Sequence, residues 1–575
     1  MVENTTTKNS SVKKRNTSAL LLTLVFLVLI NLVGSYFFFR LDLTTEKRYS
    51  LNPATLQLLE NLDDRVHIKV YLEGDFNPAF TRLRNETREL LDEFRAYSEK
   101  DFSYEFINIY DEENKKELES IQRQLYTKGI VPTELNIKSD KGNTNMIIFP
   151  GAIVHYKGKE TVWQIFKQQV GVHPDVCINN SVQGLEYELS NCIRILGMKE
   201  KPRVAFIQGH GELDTLETSD MHMALREYYD VDYLEINHRL KALNGYKAII
   251  VAQPDSAFDE KDKFIIDQFV MKGGKILWCL DQVYTNDDSL SMRGYTLGLS
   301  SDKNLDDLLF GYGVRINNNL VTDLQCTQIP INKGFKKGQP DFQMYPWFYN
   351  PLVLPSSNHP ITKNLDLIRF EFCNSIDTIS TVGLKKTILL SSSKYSRVQT
   401  TPARVSLAMA SMKPSEKIFN QSNLTLSVLV EGNFKSIYKN RLATQIAKDS
   451  AIGFVSEGKK SAMIMVSDGD IIRNRFNKNN LSFYQMGYDR YMRQTFANKV
   501  FLLNCMNYLC DGEDLLSIRS REVKLRLLDK KRVKASKVKW QLINTLLPIS
   551  LIIVSGFVLS SWKRRKYSSS SDKNK

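Results

Sequence analysis

Hydrophobic and polar residues are distributed unevenly along the chain, with one long uncharged apolar run near each end. The first run, ALLLTLVFLVLINLVGSYFFF, spans residues 19–39, and the second, LINTLLPISLIIVSGFVLSSW, spans residues 542–562. A helix of 21 residues extends roughly 30 Å at 1.5 Å per residue, which matches the hydrocarbon core of a bilayer. A secretory signal has a shorter apolar core and a small-residue cleavage site, whereas the first run ends in aromatic residues. Both runs are therefore predicted to be transmembrane helices, at residues 19–39 and 541–562.

Residues 40–200 show the pattern of one α/β domain. The segment VHIKVYL (66–72) alternates apolar and polar residues as a strand does, and FSYEFINIY (102–110) is predicted to be a second strand. Apolar residues recur at helical spacing between them, and this strand–helix–strand order favours a parallel pair. The segment TNMIIFPGAIVHYKG (144–158) is predicted to be a hairpin that turns at its Pro-Gly pair.

Residues 201–510 are predicted to form a second α/β domain. The strands KPRVAFIQ, YKAIIVAQ and KILWCLD are continuously apolar and alternate with helical segments, which is typical of an open parallel sheet covered on both faces. An irregular insertion is expected at about 315–385, because the aromatic, proline-rich segment 341–360 suits a surface loop or an interaction segment. The helix NKVFLLNCMNYL closes the domain, and a basic stalk follows at 511–540.

The net charge of +14 is concentrated beside the two apolar runs. Residues 1–18 carry four basic and one acidic residue, residues 519–539 carry ten and two, and residues 563–575 carry six and one. This placement favours contact with anionic lipid headgroups, so no nucleic-acid partner is predicted. Short basic tails are typical of the cytoplasmic side, so residues 1–18 and 563–575 are predicted to be cytoplasmic tails and the bulk of the chain extracytoplasmic. The basic residues 519–539 fall on the outer side in this topology.

The segment that follows the first apolar run is predicted to be a permanent membrane neck. Arg40, Lys47 and Arg48 would lie near the headgroups. Asn52 suits a helix N-cap because Pro53 follows it at the first helical position. The extracytoplasmic fold is therefore expected to begin with a capped helix directly after the neck.

Polar residues follow several predicted strands, where open α/β sheets usually bind ligands. In the sequence GHGE, the His and Glu could act as a general base and its orienting group, or the glycines could simply form a tight turn. We predict a turn or a ligand- or partner-binding edge and no catalytic residue, metal or cofactor. The residues of this predicted edge are Gly209, His210, Gly211, Glu212, Asp281, Asp468 and Asp470.

Several catalytic motifs are absent from the sequence. No G-x-S-x-G elbow and no G-x-x-x-x-G-K-[ST] loop occurs, so neither a serine hydrolase nor an ATPase is indicated. The seven cysteines include no C-x-x-C pair, and their spacing indicates neither a zinc site nor a disulfide framework. An ATP-driven role would therefore require the motor of another subunit.

The order of the motifs between the two apolar runs resembles a known family. RLDLTTEKRYSLNPATLQLLENL, KPRVAFIQGHGEL, YKAIIVAQPD, IDQFVMKGGKILWCLD, SDGDIIRN and NKVFLLNCMNYL are similar to the auxiliary components of bacterial ABC transport systems, and specifically to the gliding-motility-associated GldG group of Bacteroidetes. The resemblance covers about residues 18–562. It implies Rossmann-like or flavodoxin-like parallel-sheet domains between two terminal transmembrane helices, in a periplasmic region held in the inner membrane. The second domain is also compared with class I glutamine amidotransferases, but no cysteine nucleophile stands at a strand–helix elbow.

The resemblance implies a non-catalytic, membrane-anchored subunit that works beside a permease and a P-loop ATPase in surface gliding. Two alternatives stay open. One is a membrane-anchored hydrolase that uses His210 and Glu212. The other is a structural anchor that binds cell-envelope components through the aromatic segment 341–360. The bound or transported substrate and the oligomeric state are not indicated by the sequence.

Overall fold

The computed structural model describes most of the chain, in two compact units, Met1–Arg521 and Glu522–Lys575. The described residues are 17–30, 50–98, 101–111, 115–139, 142–168, 174–198, 200–285, 287–336, 338–355, 359–363, 365–412, 414, 417–476, 483–511 and 530–568. The fold is mixed α/β with several sheets.

The N-terminal part of the first unit is built on a four-stranded sheet. Its strands and helices are α1 (Thr17–Ile30), α2 (Pro53–Glu60), β1 (Val66–Val70), α3 (Pro78–Tyr97), β2 (Phe102–Phe106), α4 (Lys115–Lys128), β3 (Thr133–Ser139), β4 (Gly142–Ile148), β5 (Gly151–Tyr156), β6 (Lys159–Gln164) and α5 (Pro174–Gly197). The strand order is β2-β1-β5-β6, and only the β1–β2 pair is parallel. This parallel pair is the one that the strand–helix–strand pattern predicts.

The predicted hairpin at 144–158 is wrong. β4 pairs with β3 in a separate two-stranded sheet, whereas β5 pairs with β1 and β6. The Pro150–Gly151 step therefore carries the chain from one sheet into another instead of reversing it. Most of β5 is buried, which suits an inner strand of the sheet rather than an exposed hairpin arm.

The larger part of the first unit is built on a seven-stranded sheet in the order β19-β22-β23-β10-β9-β7-β8. Five of its strands are parallel, and β22 and β19 join antiparallel at one side. The strands are β7 (Arg203–Gln208), β8 (Asp230–Glu235), β9 (Tyr246–Ala252), β10 (Lys275–Cys279), β19 (Leu384–Ser391), β22 (Thr425–Lys435) and β23 (Glu457–Val466).

Helices cover both faces of this sheet because its strand residues are apolar on both faces. On one face Phe206 packs in a buried cluster with residues of α6 (Ser219–Arg226) and α11 (Asn498–Asp511), and on the other Ile207 packs with α7 (Glu260–Met271). Three further helices are short, namely α8 (Asp287–Arg293), α9 (Asp306–Gly311) and α10 (Thr444–Ala447).

Region 315–385 contains regular β structure and is not the irregular insertion that its composition predicts. The remaining strands are β11 (Val283–Tyr284), β12 (Tyr295–Ser300), β13 (Val314–Ile316), β14 (Asn319–Asp323), β15 (Cys326–Lys336), β16 (Gln339–Val353), β17 (Ile368–Arg369), β18 (Ile376–Thr378), β20 (Ser396–Thr400), β21 (Ala403–Ser406), β24 (Tyr488–Asp489) and β25 (Gln494–Thr495). β15 and β16 form a long hairpin, so most of the aromatic segment 341–360 is a strand rather than a loop. Trp347, Phe348 and Tyr349 are buried, which explains why an aromatic segment is held in place here.

The second unit contains one long helix, Lys530–Ser568. Its apolar part, Lys539–Arg565, is long enough to cross a membrane, and none of its most apolar stretch is buried. The described end of the predicted stalk, from residue 530, belongs to this same helix. Residues 512–529 of the stalk and the predicted neck residues Arg40, Lys47 and Arg48 lie outside the described residues. The described part of the predicted span 19–39 belongs to α1 and is exposed throughout.

Candidate functional site

The GHGE turn follows β7, and its ionisable side chains are buried. The ring of His210 lies between two carboxylates: Nδ1 is 3.3 Å from Glu212 Oε1 and Nε2 is 3.2 Å from Asp262 Oδ2. The ring also stacks on Phe258, with centroids 3.8 Å apart. Burial alone would lower the pKa of His210, but the hydrogen bond and charge of Glu212, together with Asp262, outweigh it and hold the pKa above the ordinary value.

The turn backbone is tied to the loop after β9. The carbonyl of His210 accepts the N–H groups of Asp255 (3.2 Å) and Ser256 (2.9 Å). Gly211 has φ +70°, and a Cβ at this position would lie 1.6 Å from Asp255 Oδ1. Glycine is required here both by the left-handed backbone and by the close approach of the aspartate. The GHGE sequence therefore forms a packed turn in which both ring nitrogens of His210 already have partners.

The three predicted aspartates form a second cluster, at the ends of β10 and β23. Because these strands are parallel neighbours, Asp281 and the Asp468–Asp470 pair meet at one edge of the sheet. Asp281 accepts the backbone N–H of Gly469 at 2.8 Å and the side-chain amide of Gln253 at 2.6 Å. Burial, with repulsion from Asp470, raises the pKa of Asp281 to about 7.

Asp468 links this cluster to the segment that follows β17. It is fully buried, its Oδ2 accepts the backbone N–H of Glu371 at 2.7 Å, and its Oδ1 has no hydrogen-bond partner among the described residues. Burial and the neighbouring Asp281 raise its pKa well above the ordinary value. His210 contacts Asp262 of α7 and Asp281 contacts Gly469, so the predicted edge divides into two clusters. The loop after β9 joins them, because Asp255 donates to the His210 carbonyl and Gln253 donates to Asp281.

Pattern analysis missed a group that could hold a metal ion. Ligand atoms of His238, Asp259 and Asp262 all lie within 4.8 Å of one another, with His238 Nδ1 3.0 Å from Asp259 Oδ2. Asp259 also caps α7, because its Oδ1 accepts the N–H groups of Lys261 and Asp262. The carboxylates of Asp259 and Asp262 lie at the N-terminus of α7, where the positive end of the helix dipole favours negative charge and disfavours a cation. The cap explains Asp259, and Asp262 accepts the backbone N–H of His238 at 2.9 Å and faces the ring of His210 at 3.2 Å, so both aspartates have partners without a metal.

A cleft of about 720 Å³ lies beside the aspartate cluster, and we term it the arginine–tyrosine cleft. Four arginines reach it: Arg369, Arg473, Arg475 and Arg490. Three tyrosines, Tyr484, Tyr488 and Tyr491, supply much of its aromatic surface. None of the predicted edge residues lines this cleft, although Asp470 lines a small neighbouring pocket that shares three of the arginines.

Three arginines of the cleft, Arg369, Arg473 and Arg475, are held by carboxylates. Glu371 accepts Arg369 Nη1 at 2.5 Å and also contacts Arg475 Nη2. Arg473 Nη1 lies 2.7 Å from Asp470 Oδ1. Burial alone would raise the pKa of Glu371, but the charges of the arginines outweigh it and hold the pKa below the ordinary value. The sequence does carry a signal for these residues. Arg473 and Arg475 follow SDGD within five residues, and Arg369 and Glu371 alternate with aromatic residues in RFEF.

Together these features describe a mixed α/β protein with a polar cleft beside the sheet edge and an exposed apolar helix near its C-terminus. The family described as "ABC-type uncharacterized transport system" (ABC_transp_aux) matches residues 201–505, more than half of the chain. The chain belongs to this family and is thus an auxiliary component of an ABC-type transport system. A domain of unknown function (DUF7088) matches residues 45–155.

The chain is also similar to individual proteins. An uncharacterized protein of Borreliella burgdorferi strain B31 is 21% identical over 554 residues, which cover 95% of this chain and 97% of that protein. Among solved structures, the mmIFT52 N-terminal domain covers 54% of this chain and 98% of its own, with 14% identity and a TM-score of 0.31. A TM-score this low supports no argument about fold or function.

Proposed function

We propose that the chain is a membrane-anchored, non-catalytic subunit of an ABC-type transport complex, working with a separate permease and P-loop ATPase. The observation that carries the proposal is the exposed apolar helix Lys539–Arg565 in a member of a transport-system family. Leaving so much apolar side-chain surface in water is unfavourable, so a bilayer or another membrane helix must cover it. A tethered subunit also stays at a high effective concentration beside a membrane partner.

The proposal extends to two spans in a bacterial inner membrane, with the bulk of the chain in the periplasm. α1 supports a second span, because its leucine, valine and phenylalanine side chains are exposed along its whole described length. The basic tails at 1–18 and 563–575 support cytoplasmic termini. Reporter fusions test this: a fluorescent protein that matures only in the cytoplasm should be bright at residue 575 and dark when inserted at Tyr395. A bright signal at Tyr395 would contradict the topology.

A non-catalytic role is supported by the state of the candidate reactive groups. His210 is buried and carries a carboxylate at each ring nitrogen, so it has no free nitrogen with which to accept a substrate proton. Burial raises the pKa of the thiols of Cys192 and Cys326 to about 12, which disfavours the nucleophilic thiolate. The hydrolase alternative is therefore the weaker one. We expect a Glu212→Gln variant that folds normally to keep its function in the cell.

Affinity purification in mild detergent tests the subunit role. The full chain should recover a permease with several spans and a P-loop ATPase. A matched control truncated after residue 511 lacks the C-terminal apolar helix but keeps the whole described part of the first unit, and it should recover much less of both. Recovery of the full chain alone would contradict the proposal. The association with gliding rests on the sequence resemblance and predicts that deletion of the gene abolishes colony spreading.

One observation favours the alternative of a cell-envelope anchor. The outer end of the β15–β16 hairpin exposes Phe335 (77%), Phe342 (62%) and Met344 (45%). Exposed aromatic side chains on a projecting hairpin are typical of a contact surface. Replacing residues 332–342 by a two-residue turn should leave the buried inner half of the hairpin intact. If envelope anchoring is the function, this variant should still assemble with the transporter but lose the cellular phenotype.

A further inference from the structure

The arginine–tyrosine cleft has the size of a small-ligand site. Its volume of about 720 Å³ lies within the range of roughly 300–1,000 Å³ that is typical of ligand pockets. It lies between the inner end of β16 and the segment around β24, and it is separate from the buried GHGE turn. A ligand could therefore enter it without disturbing the sheet.

Most of the charge that lines the cleft is paired. Its four arginines face three lining carboxylates, Glu217, Glu371 and Asp489, and Asp470 of the small neighbouring pocket contacts Arg473. The pairs are formed in the structure: Arg369 Nε lies 3.3 Å from Asp489 Oδ2, and Arg473 Nε lies 3.4 Å from Glu217 Oε1. Because the guanidinium groups of Arg369, Arg473 and Arg475 already face carboxylates, these three arginines have little attraction left for a phosphate or another anion. Arg490 instead donates to the hydroxyl of Tyr491 at 2.6 Å.

Flat aromatic surfaces accompany these paired charges. Tyr484 and Tyr488 stack on each other with centroids 5.0 Å apart. Tyr491 is 40% exposed, and the guanidinium of Arg490 lies 4.6 Å from its ring. The walls thus offer planar donors, planar acceptors and aromatic faces at the same time. A ligand that uses all three has apolar C–H faces and many hydroxyl groups that both donate and accept hydrogen bonds.

We infer that the arginine–tyrosine cleft binds a neutral oligosaccharide. Pyranose rings place axial C–H groups on an aromatic face and vicinal hydroxyls at the edge, where guanidinium and carboxylate groups form paired hydrogen bonds. Neutral sugars also leave the arginine–carboxylate pairs intact, whereas an anionic ligand would have to compete with buried carboxylates such as Glu371. The inference goes beyond the proposed subunit role and does not depend on it, because binding is a property of the chain alone.

The experiment is isothermal titration of the purified full chain in a detergent without a sugar headgroup. The neutral probes are cellohexaose, chitohexaose, mannohexaose and maltohexaose, and the anionic probe is hexagalacturonate. We expect at least one neutral probe to bind with a dissociation constant below about 1 mM, with little dependence on salt. Binding of hexagalacturonate alone, or of no probe, would overturn the inference. Recovery of permease and ATPase by the same preparation is scored separately, so the two proposals can fail independently.

Variants locate the site. Tyr491→Ala should weaken binding at least tenfold, because an exposed stacking face is lost, and Arg475→Ala should do so by removing hydrogen-bond donors. The matched control is Tyr395→Ala, an equally exposed tyrosine (46%) remote from the cleft in the sequence and absent from its lining. Tyr491 is exposed, so its removal should leave the unfolding temperature unchanged. Binding that survives both cleft variants, or that Tyr395→Ala weakens equally, would show that the sugar binds elsewhere.

Discussion

Replacing Asp281 by asparagine should stabilise the protein at neutral and alkaline pH. In the folded chain the pKa of Asp281 is about 7, against 3.8 for an ordinary aspartate, because burial and Asp470 disfavour its charge. The folded state therefore holds a proton that the unfolded state has lost between these two values, so stability falls as the pH rises from 4 to 7 and is level above 7. At 1.36 kcal/mol per pKa unit, the loss is about 4 kcal/mol.

The asparagine side chain is neutral at every pH, so it should remove this loss. It can be accommodated because Gln253, which donates to Asp281, has a buried Oε1 without a hydrogen-bond partner in the described part of the chain. Rotation of the Gln253 amide would present this oxygen to the new N–H₂ group. Asp281→Asn should thus match the wild type near pH 4 and exceed it by up to about 4 kcal/mol at pH 8.

Thermal unfolding of the full chain between pH 4 and 9, followed by circular dichroism, measures the effect. About 4 kcal/mol corresponds to a shift of roughly 8 °C or more in a unit of 150–250 residues, and somewhat less in a larger one. The control is Asp302→Asn, an exposed aspartate, which should change little at any pH. A variant less stable than the wild type at pH 8, or a difference that does not grow with pH, would refute the reasoning.

Three further substitutions test the local structure. His210→Ala removes the imidazole that two buried carboxylates share and should cost about 3 kcal/mol; since the folded pKa of this histidine is raised, the cost should be greatest below pH 6.5 and shrink as the pH rises through the folded pKa. The control His222→Ala removes a ring stacked on an aromatic neighbour rather than a partner of buried carboxylates, and should cost less in thermal unfolding. Gly211→Ala should destabilise the protein far more than Gly158→Ala, because both have φ +70° but only Gly211 would place its Cβ against another side chain. Asn52→Ala removes the side-chain acceptor that caps α2 and should raise hydrogen exchange at the start of that helix, with a cost of about 1 kcal/mol.

The elements that the sequence predicts correctly are those with strong local periodicity. In β1 and β2 apolar and polar residues alternate over five residues each. The apolar residues between them recur at helical spacing, and this strand–helix–strand order favours a parallel pair. The strands β7, β9 and β10 each contain an unbroken run of buried apolar residues, so their central place in a covered sheet also follows from composition. The cap at Asn52 is equally local: its side chain accepts the N–H of Ala54, as the Asn-Pro pair predicts.

The failed predictions depend on contacts that are distant in sequence. The segment 341–360 contains prolines, which argue against a central strand, yet β16 is a 15-residue strand of a hairpin. It tolerates them because the register with β15 shifts near Cys326 and because the three aromatic residues after Pro346 are buried. No periodicity reveals that burial. The same limit applies to the cleft, where Arg369 lies about a hundred residues before Arg473, Arg475 and Arg490 in the chain and shares the carboxylate of Glu371 with Arg475.

The predicted edge residues and the cleft are connected through the backbone rather than through a shared ligand. Asp468 accepts the backbone N–H of Glu371, and the side chain of Glu371 holds Arg369 and Arg475 in the cleft wall. The buried carboxylates at the ends of β10 and β23 therefore hold the wall of the cleft in place without lining it. This explains why residues at the end of a parallel strand can mark a binding region without touching the bound molecule. It also explains the tolerance for several buried carboxylates in one place, since each fixes a backbone amide or a guanidinium that would otherwise be unpaired.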